Sequence, residues 1–185
     1  MGFNWFALGN GPVKTFEFRC SDCGEIHRGS PSFGYVRPMA YFTVPEDERA
    51  DRVVIDDDTC VIDEDAYYIR GLLEIPIEEV EEPFSWGVWV SQSRESFERY
   101  LETYDDDQTG DGSFGWLPVS MPGYDRARPG QETEYLGCDV KWSSRGQRPL
   151  VVPHETDHPL YRDIVNGITW DRAVELARQV MRSDG

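Results

Sequence analysis

Lysine is nearly missing from this 185-residue chain, which has two Lys among eighteen basic residues against thirty-five Asp and Glu. A formal net charge of −17 disfavours any partner that is bound through clustered cations releasing counterions, which sets aside nucleic acid and anionic membrane surfaces. Long apolar runs are missing too, and no stretch approaches the roughly 20 residues of a bilayer-spanning helix. The opening MGFNWFALGNGPVK has neither the basic n-region nor the apolar h-region of a secretory signal. Phe6 stands where a myristoylation signal requires Ser or Thr. The expected compartment is the cytoplasm, where a disulfide between the few cysteines is disfavoured. Histidine is limited to His27, His154 and His158, and cysteine to Cys20, Cys23, Cys60 and Cys138, so any metal site has few ligands to draw on.

Aromatic residues are plentiful. Six Trp, nine Tyr and nine Phe point to a packed core despite the charge, and the length suits one domain over 1–185. The acidic blocks IDDDTCVIDED, IEEVEEP and YDDDQTGDG read as solvated loops, with a cationic partner surface as the sharper alternative. KTFEFRC alternates Phe16 and Phe18 with polar residues, as a half-buried strand does. RVVIDDD, TCVID, YYIRGLLEIPI, SWGVWVS, FGWLPVS, YLGCDVKWS and RPLVV extend the strand pattern, with Pro76, Pro118 and Pro149 at strand ends. In SWGVWVS, Trp86, Val88 and Val90 share one face while Gly87 and Trp89 take the other.

Helical spacing appears in SRESFERYLETY, where Phe97, Tyr100, Leu101 and Tyr104 form one stripe behind the cap Ser93. It recurs in TWDRAVELARQVMR, with Ala173, Leu176, Ala177, Val180 and Met181 behind Thr169. PLYRDIVNG reads as a shorter helix that begins at Pro159 and closes at Gly167. The expected fold is an α+β domain rich in antiparallel β-sheet. It carries a CxxC zinc-knuckle-like turn at about 16–31 and two to three helices, mostly late, including a C-terminal helical segment at about 157–182.

The string HETDH at 154–158 matches the H-E-x-x-H of zinc proteases, in which both His project from one face of a continuous helix. Pro159 spoils that context. Its ring conflicts with the Glu155 carbonyl in a helix and pushes His158 out of helical geometry. Pro153 suits a helix start, but His158 reads better as the cap of the short helix that follows. The motif is a decoy.

FRCSDCGEIHRGSP is the stronger signal. Cys20 and Cys23 form a C-x-x-C pair closed by Gly24, with His27 four residues on, which gives three ligands of a tetrahedral Zn²⁺ site. A thioredoxin-like redox pair, a disulfide and unligated thiols compete with that reading, and the strand–CxxC–helix context of the first is missing. For the fourth ligand the order is Cys60, then His158, then water; the first gives a closed structural site and the last an open ion. Cys138 reads as a buried apolar thiol.

Taken in order, FRCSDCGEIHRGSP, DDDTCVID, YIRGLLEIPI, FSWGVWVS with FERYLE, FGWLPVSMPGY and RPLVVPHETDHPL with NGIT resemble the bacterial family known as domain of unknown function 2199. The resemblance spans most of residues 16–170 and puts Cys20, Cys23, Gly24, His27, Cys60, Arg70, Trp86, Gly87, Trp89 and His158 at the family's recurring positions. It leaves His154 and Cys138 outside the pattern, and the stretch Asp125 to Ser144 departs from it. The metal set expected is therefore Cys20, Cys23, His27 and Cys60; the resemblance strengthens the metal site and the choice of Cys60, and it implies no activity.

Arg70 lies in an apolar strand, where it either reaches a carboxylate of the Asp56–Asp58 run or binds an anion in a pocket, with the first preferred. Trp86, Trp89 and Trp116 read as core, with an aromatic platform as the alternative. No nucleophile–base pair is evident. The expected function is therefore that of a zinc-stabilised protein-interaction domain. The alternatives are a metal-dependent hydrolase with an open zinc ion and Glu25 or His158 as acid or base, and an acidic immunity-type protein that masks a basic toxin.

Overall fold

A computed structural model describes residues 14–20, 23–124, 133 and 136–183. The leader-free reading of 1–13 and most of the stretch from Asp125 to Tyr135 fall outside it.

A small antiparallel hairpin opens the described chain, made of β1 (Glu17–Arg19) and β2 (Ile26–Arg28). β3 (Ser32–Gly34) follows, then two short 3-10 turns and α1 (Arg49–Arg52). Next come β4 (Val53–Ile55), β5 (Thr59–Ile62), β6 (Ala66–Ile75), β7 (Phe84–Gln92) and α2 (Arg94–Glu102). The chain ends with β8 (Gly112–Leu117), β9 (Leu136–Lys141), β10 (Leu150–Pro153), α3 (Pro159–Asn166) and α4 (Trp170–Ser183). The main sheet runs β3-β7-β6-β10-β9-β8, with β5 on β6 and β4 on β5. Its pairings are antiparallel except β3 with β7 and β10 with β6.

The expected α+β architecture is present, and each strand and helix read from periodicity has its counterpart. Pro76 and Pro118 follow β6 and β8, and Pro149 precedes β10, where a missing N–H costs the ladder nothing. Ser93 caps α2 by accepting from the Ser96 N–H, and Thr169 Oγ1 accepts from the Arg172 N–H at the start of α4. The apolar stripe of α2 is narrower than expected, because Leu101 is 46% exposed and the helix stops before Tyr104. β2, β3 and α1 were not visible in the sequence. At three to four residues each, with mostly exposed side chains, they are too short to show a period.

β6 is the hub. One edge pairs with β7 along nine residues, while the other is shared between β5, at Ala66 to Ile69, and β10, at Leu72. Gly71 marks the changeover. A Cβ there would come within 2.5 Å of Val151 Cγ2 and 2.9 Å of the Pro149 carbonyl oxygen, so only Gly lets β10 approach. Both faces of this hub are covered. Ile69, Leu73, Phe84, Trp86, Val88 and Val90 join the main core beneath Leu160 of α3 and Leu176 of α4. On the other face Cys60, Ile62, Tyr68 and Trp89 form a second core with Val44. Trp86 and Trp89 are each 1% exposed and serve as core, whereas Trp116 is 51% exposed.

Candidate metal centre

The hairpin register sets Phe18 opposite His27, so their side chains share a face. The two rings stack with centroids 5.2 Å apart, which fixes the imidazole plane. Beyond the strands the Cys20 N–H donates to the Glu25 carbonyl and the Gly24 N–H to the Cys20 carbonyl, folding the C-x-x-C segment back on itself. Gly24 takes φ +76°, a left-handed conformation that Gly adopts without strain. Arg19 Nη1 donates to the Gly24 carbonyl and holds the turn from outside.

The outcome is a cluster of Cys20 Sγ, Cys23 Sγ and a His27 ring nitrogen, all within 4.8 Å of one another. Cys23 Sγ lies 3.4 Å from His27 Nε2. With Zn–S of about 2.3 Å and Zn–N of about 2.0–2.1 Å, a tetrahedral ion places sulfur and nitrogen ~3.6 Å apart. The observed spacing therefore fits a shared ion. It also fits an S–H···N hydrogen bond, whose proton a metal would displace. Cys20 is buried, His27 half-buried and Cys23 exposed, so the cluster has one side in the protein and one toward solvent.

Cys60 does not join this group. It lies on β5 opposite Tyr68 of β6, fully buried in the second core. Burial pushes its thiol up to about 11, only partly offset by the Arg37 charge, so it is a protonated apolar side chain there. His158 does not join either. It is the N-cap of α3, its Nδ1 accepting from the Leu160 N–H with Pro159 at the first helical position. Ser21 and Asp22 lie outside the described residues, and among the described residues no fourth Cys, His, Asp or Glu side chain belongs to the cluster. Cys138 is buried in the main core, as read, with its thiol pushed up to about 12 by burial.

The decoy is resolved by position. Residues 154–158 form no helix; Pro153 ends β10 instead of starting a helix, and the exposed His154 pairs with Asp139 at 2.8 Å.

The support of the hairpin was not read from the sequence. Phe16, 1% exposed, packs on Trp170 of α4 at 4.6 Å, and Arg178 of the same helix donates to the Arg19 carbonyl beside the Phe18 ring. Pairing KTFEFRC with EIHRG across the C-x-x-C turn would have matched Phe18 with His27, but the partner helix carries no local signal.

Arg70 departs from its expected pairing. Its long hydrogen bond, 3.4 Å, goes to the Asp57 backbone carbonyl, while the Asp58 carboxylate is taken by Arg148 at 2.6 Å.

No curated protein and no solved structure matches the chain. Residues 19–168, a span that contains the whole cluster, match a family described as an uncharacterized protein conserved in bacteria, and the chain belongs to that family, DUF2199.

Proposed function

We propose that Cys20, Cys23 and His27 bind one zinc ion and that the ion is structural, clipping the N-terminal hairpin in a protein that works by protein interaction. The observation that carries the metal reading is the 3.4 Å approach of Cys23 Sγ to His27 Nε2 with Cys20 Sγ beside them. Two thiolates and an imidazole are the donor set that selects zinc over the harder cations. A two-stranded hairpin of three-residue strands is marginal alone, so a cross-link at its turn has a clear structural use. The interaction reading is supported by apolar side chains exposed between β3 and β4, namely Val36, Met39 and Phe42, together with Val54.

The test is the zinc content of the reduced chain by plasma mass spectrometry, with Cys23→Ser, His27→Ala, Cys60→Ser and His158→Ala as variants. The expected result is one zinc per chain in wild type, Cys60→Ser and His158→Ala, with loss from Cys23→Ser and His27→Ala. A lower Tm on chelation follows, because the binding free energy of the ion is then folding free energy of the hairpin. No zinc in wild type, or zinc that survives both hairpin substitutions, would refute the assignment. The three-residue donor set also favours a second reading, an open ion in a hydrolase; a Tm unchanged by chelation would favour it.

A further inference from the structure

The two sulfurs of the C-x-x-C turn stand in unlike places. Cys23 is exposed, while Cys20 is 3% exposed and keeps its Sγ within 4.8 Å of Cys23 Sγ. Backbone bonds from the Cys20 N–H to the Glu25 carbonyl and from the Gly24 N–H to the Cys20 carbonyl fold the turn back, so the two sulfurs stay neighbours. Cys60 and Cys138 are fully buried, and burial holds their thiols protonated. Of the four cysteines, Cys23 is therefore the one that an oxidant in solvent meets first.

Past Gly24 the chain enters β2 and not a helix, so this is not the strand–CxxC–helix turn of a dithiol oxidoreductase. Zinc takes its cysteine ligands as thiolates, and the thiolate is the form that attacks a peroxide. The ion that clips the turn also arms it. The charge of the chain then selects the oxidant. At a formal net charge of −17 an anionic disulfide compound is repelled, whereas a neutral peroxide is not.

Resting on the zinc reading above, we propose that Cys23 and Cys20 form a peroxide-sensitive switch that releases the ion on oxidation. The Cys23 thiolate attacks one peroxide oxygen, the O–O bond breaks, and hydroxide leaves a sulfenic acid on Cys23. The Cys20 thiolate then attacks the Cys23 sulfur, the S–S bond forms, the S–O bond breaks and a second hydroxide leaves. Two thiolates lose two electrons and one peroxide gains them. His27 remains as a lone ligand, and a single neutral imidazole does not retain the ion. The disulfide spans the same turn, so the hairpin keeps a cross-link and its contacts with α4 through Phe16 and Arg178.

The test loads the full reduced chain with zinc, removes unbound metal and adds hydrogen peroxide in steps. A chromogenic chelator reports released zinc, and alkylation followed by peptide mass spectrometry reports the thiols. The expected result is a fall from one zinc per chain to none, in step with a disulfide on the peptide that carries Cys20 and Cys23. Dithiothreitol with added zinc restores the starting state, and Cys60 and Cys138 stay reduced throughout. In Cys20→Ser, dimedone traps the sulfenic acid on Cys23. Zinc absent before any peroxide would sink the metal reading and the switch with it. Zinc present at the start but retained after oxidation, or a Cys20–Cys23 pair left reduced by peroxide, would overturn the switch alone.

Discussion

Glu74 shows what the sheet does to a single residue. It lies on β6 in a half-buried position and takes part in no ion pair among the described residues. Burial alone raises its pKa above 4.5. For a carboxylate raised in this way, the contribution to stability is fully present below the unfolded pKa of 4.5 and is lost as pH rises through the folded value. At pH 7 the ionised group is therefore a cost to the fold. Glu74→Gln is expected to raise Tm at pH 7 and to leave it nearly unchanged at pH 4. Thermal melts at the two pH values check this, and an equal effect at both would show that charge is not the cause. Residue-scale chemistry was partly legible in advance. The cap at His158 followed from Pro159 alone, because proline constrains its neighbour locally. The spacing of two cysteines and a histidine around Gly24 was equally local. The position of Cys60 was not, because it depends on which strands pair, and β5 turns that side chain into the second core instead of toward the hairpin.

At the scale of elements, the curl of the sheet rests on a close approach that no periodicity records. β8 pairs with β9 but also comes back against the end of β7, where the Trp116 N–H donates to Ser91 Oγ and the Ser113 hydroxyl to Gln92 Oε1. Gly115 makes the approach possible, since a Cβ there would stand 2.1 Å from the Ser91 carbonyl oxygen and 2.5 Å from Val90 Cγ1. Backbone cannot yield as a flexible side-chain end does. Gly115→Ala is thus expected to destabilise the chain by about 3 kcal/mol or more, the range of severe overpacking. Urea unfolding checks it; a loss below about 1 kcal/mol would mean that β8 and β7 separate freely. The strands and helices of five residues or more were legible because each carries a period that its own burial enforces. β2 and β3 were not, since three mostly exposed residues carry no period and gain their place from β1 and β7.

In the molecule as a whole, two apolar cores share the β6–β7 hairpin, and the small β1–β2 hairpin docks on α4 through Phe16, Phe18, Trp170 and Arg178. Phe16 joins the main core and Phe18 packs against it, and the cross-link proposed at the hairpin's tip would hold the turn. The expected four-residue set thus divides between two places in the fold: Cys20, Cys23 and His27 form one cluster, and Cys60 is a buried thiol in a core. X-ray absorption at the zinc edge on the metal-loaded chain counts the donors directly. The account predicts two sulfur ligands at about 2.3 Å and at least one nitrogen at about 2.0–2.1 Å. Three sulfur ligands would contradict it, because they would require Cys60 to leave the second core and reach the hairpin.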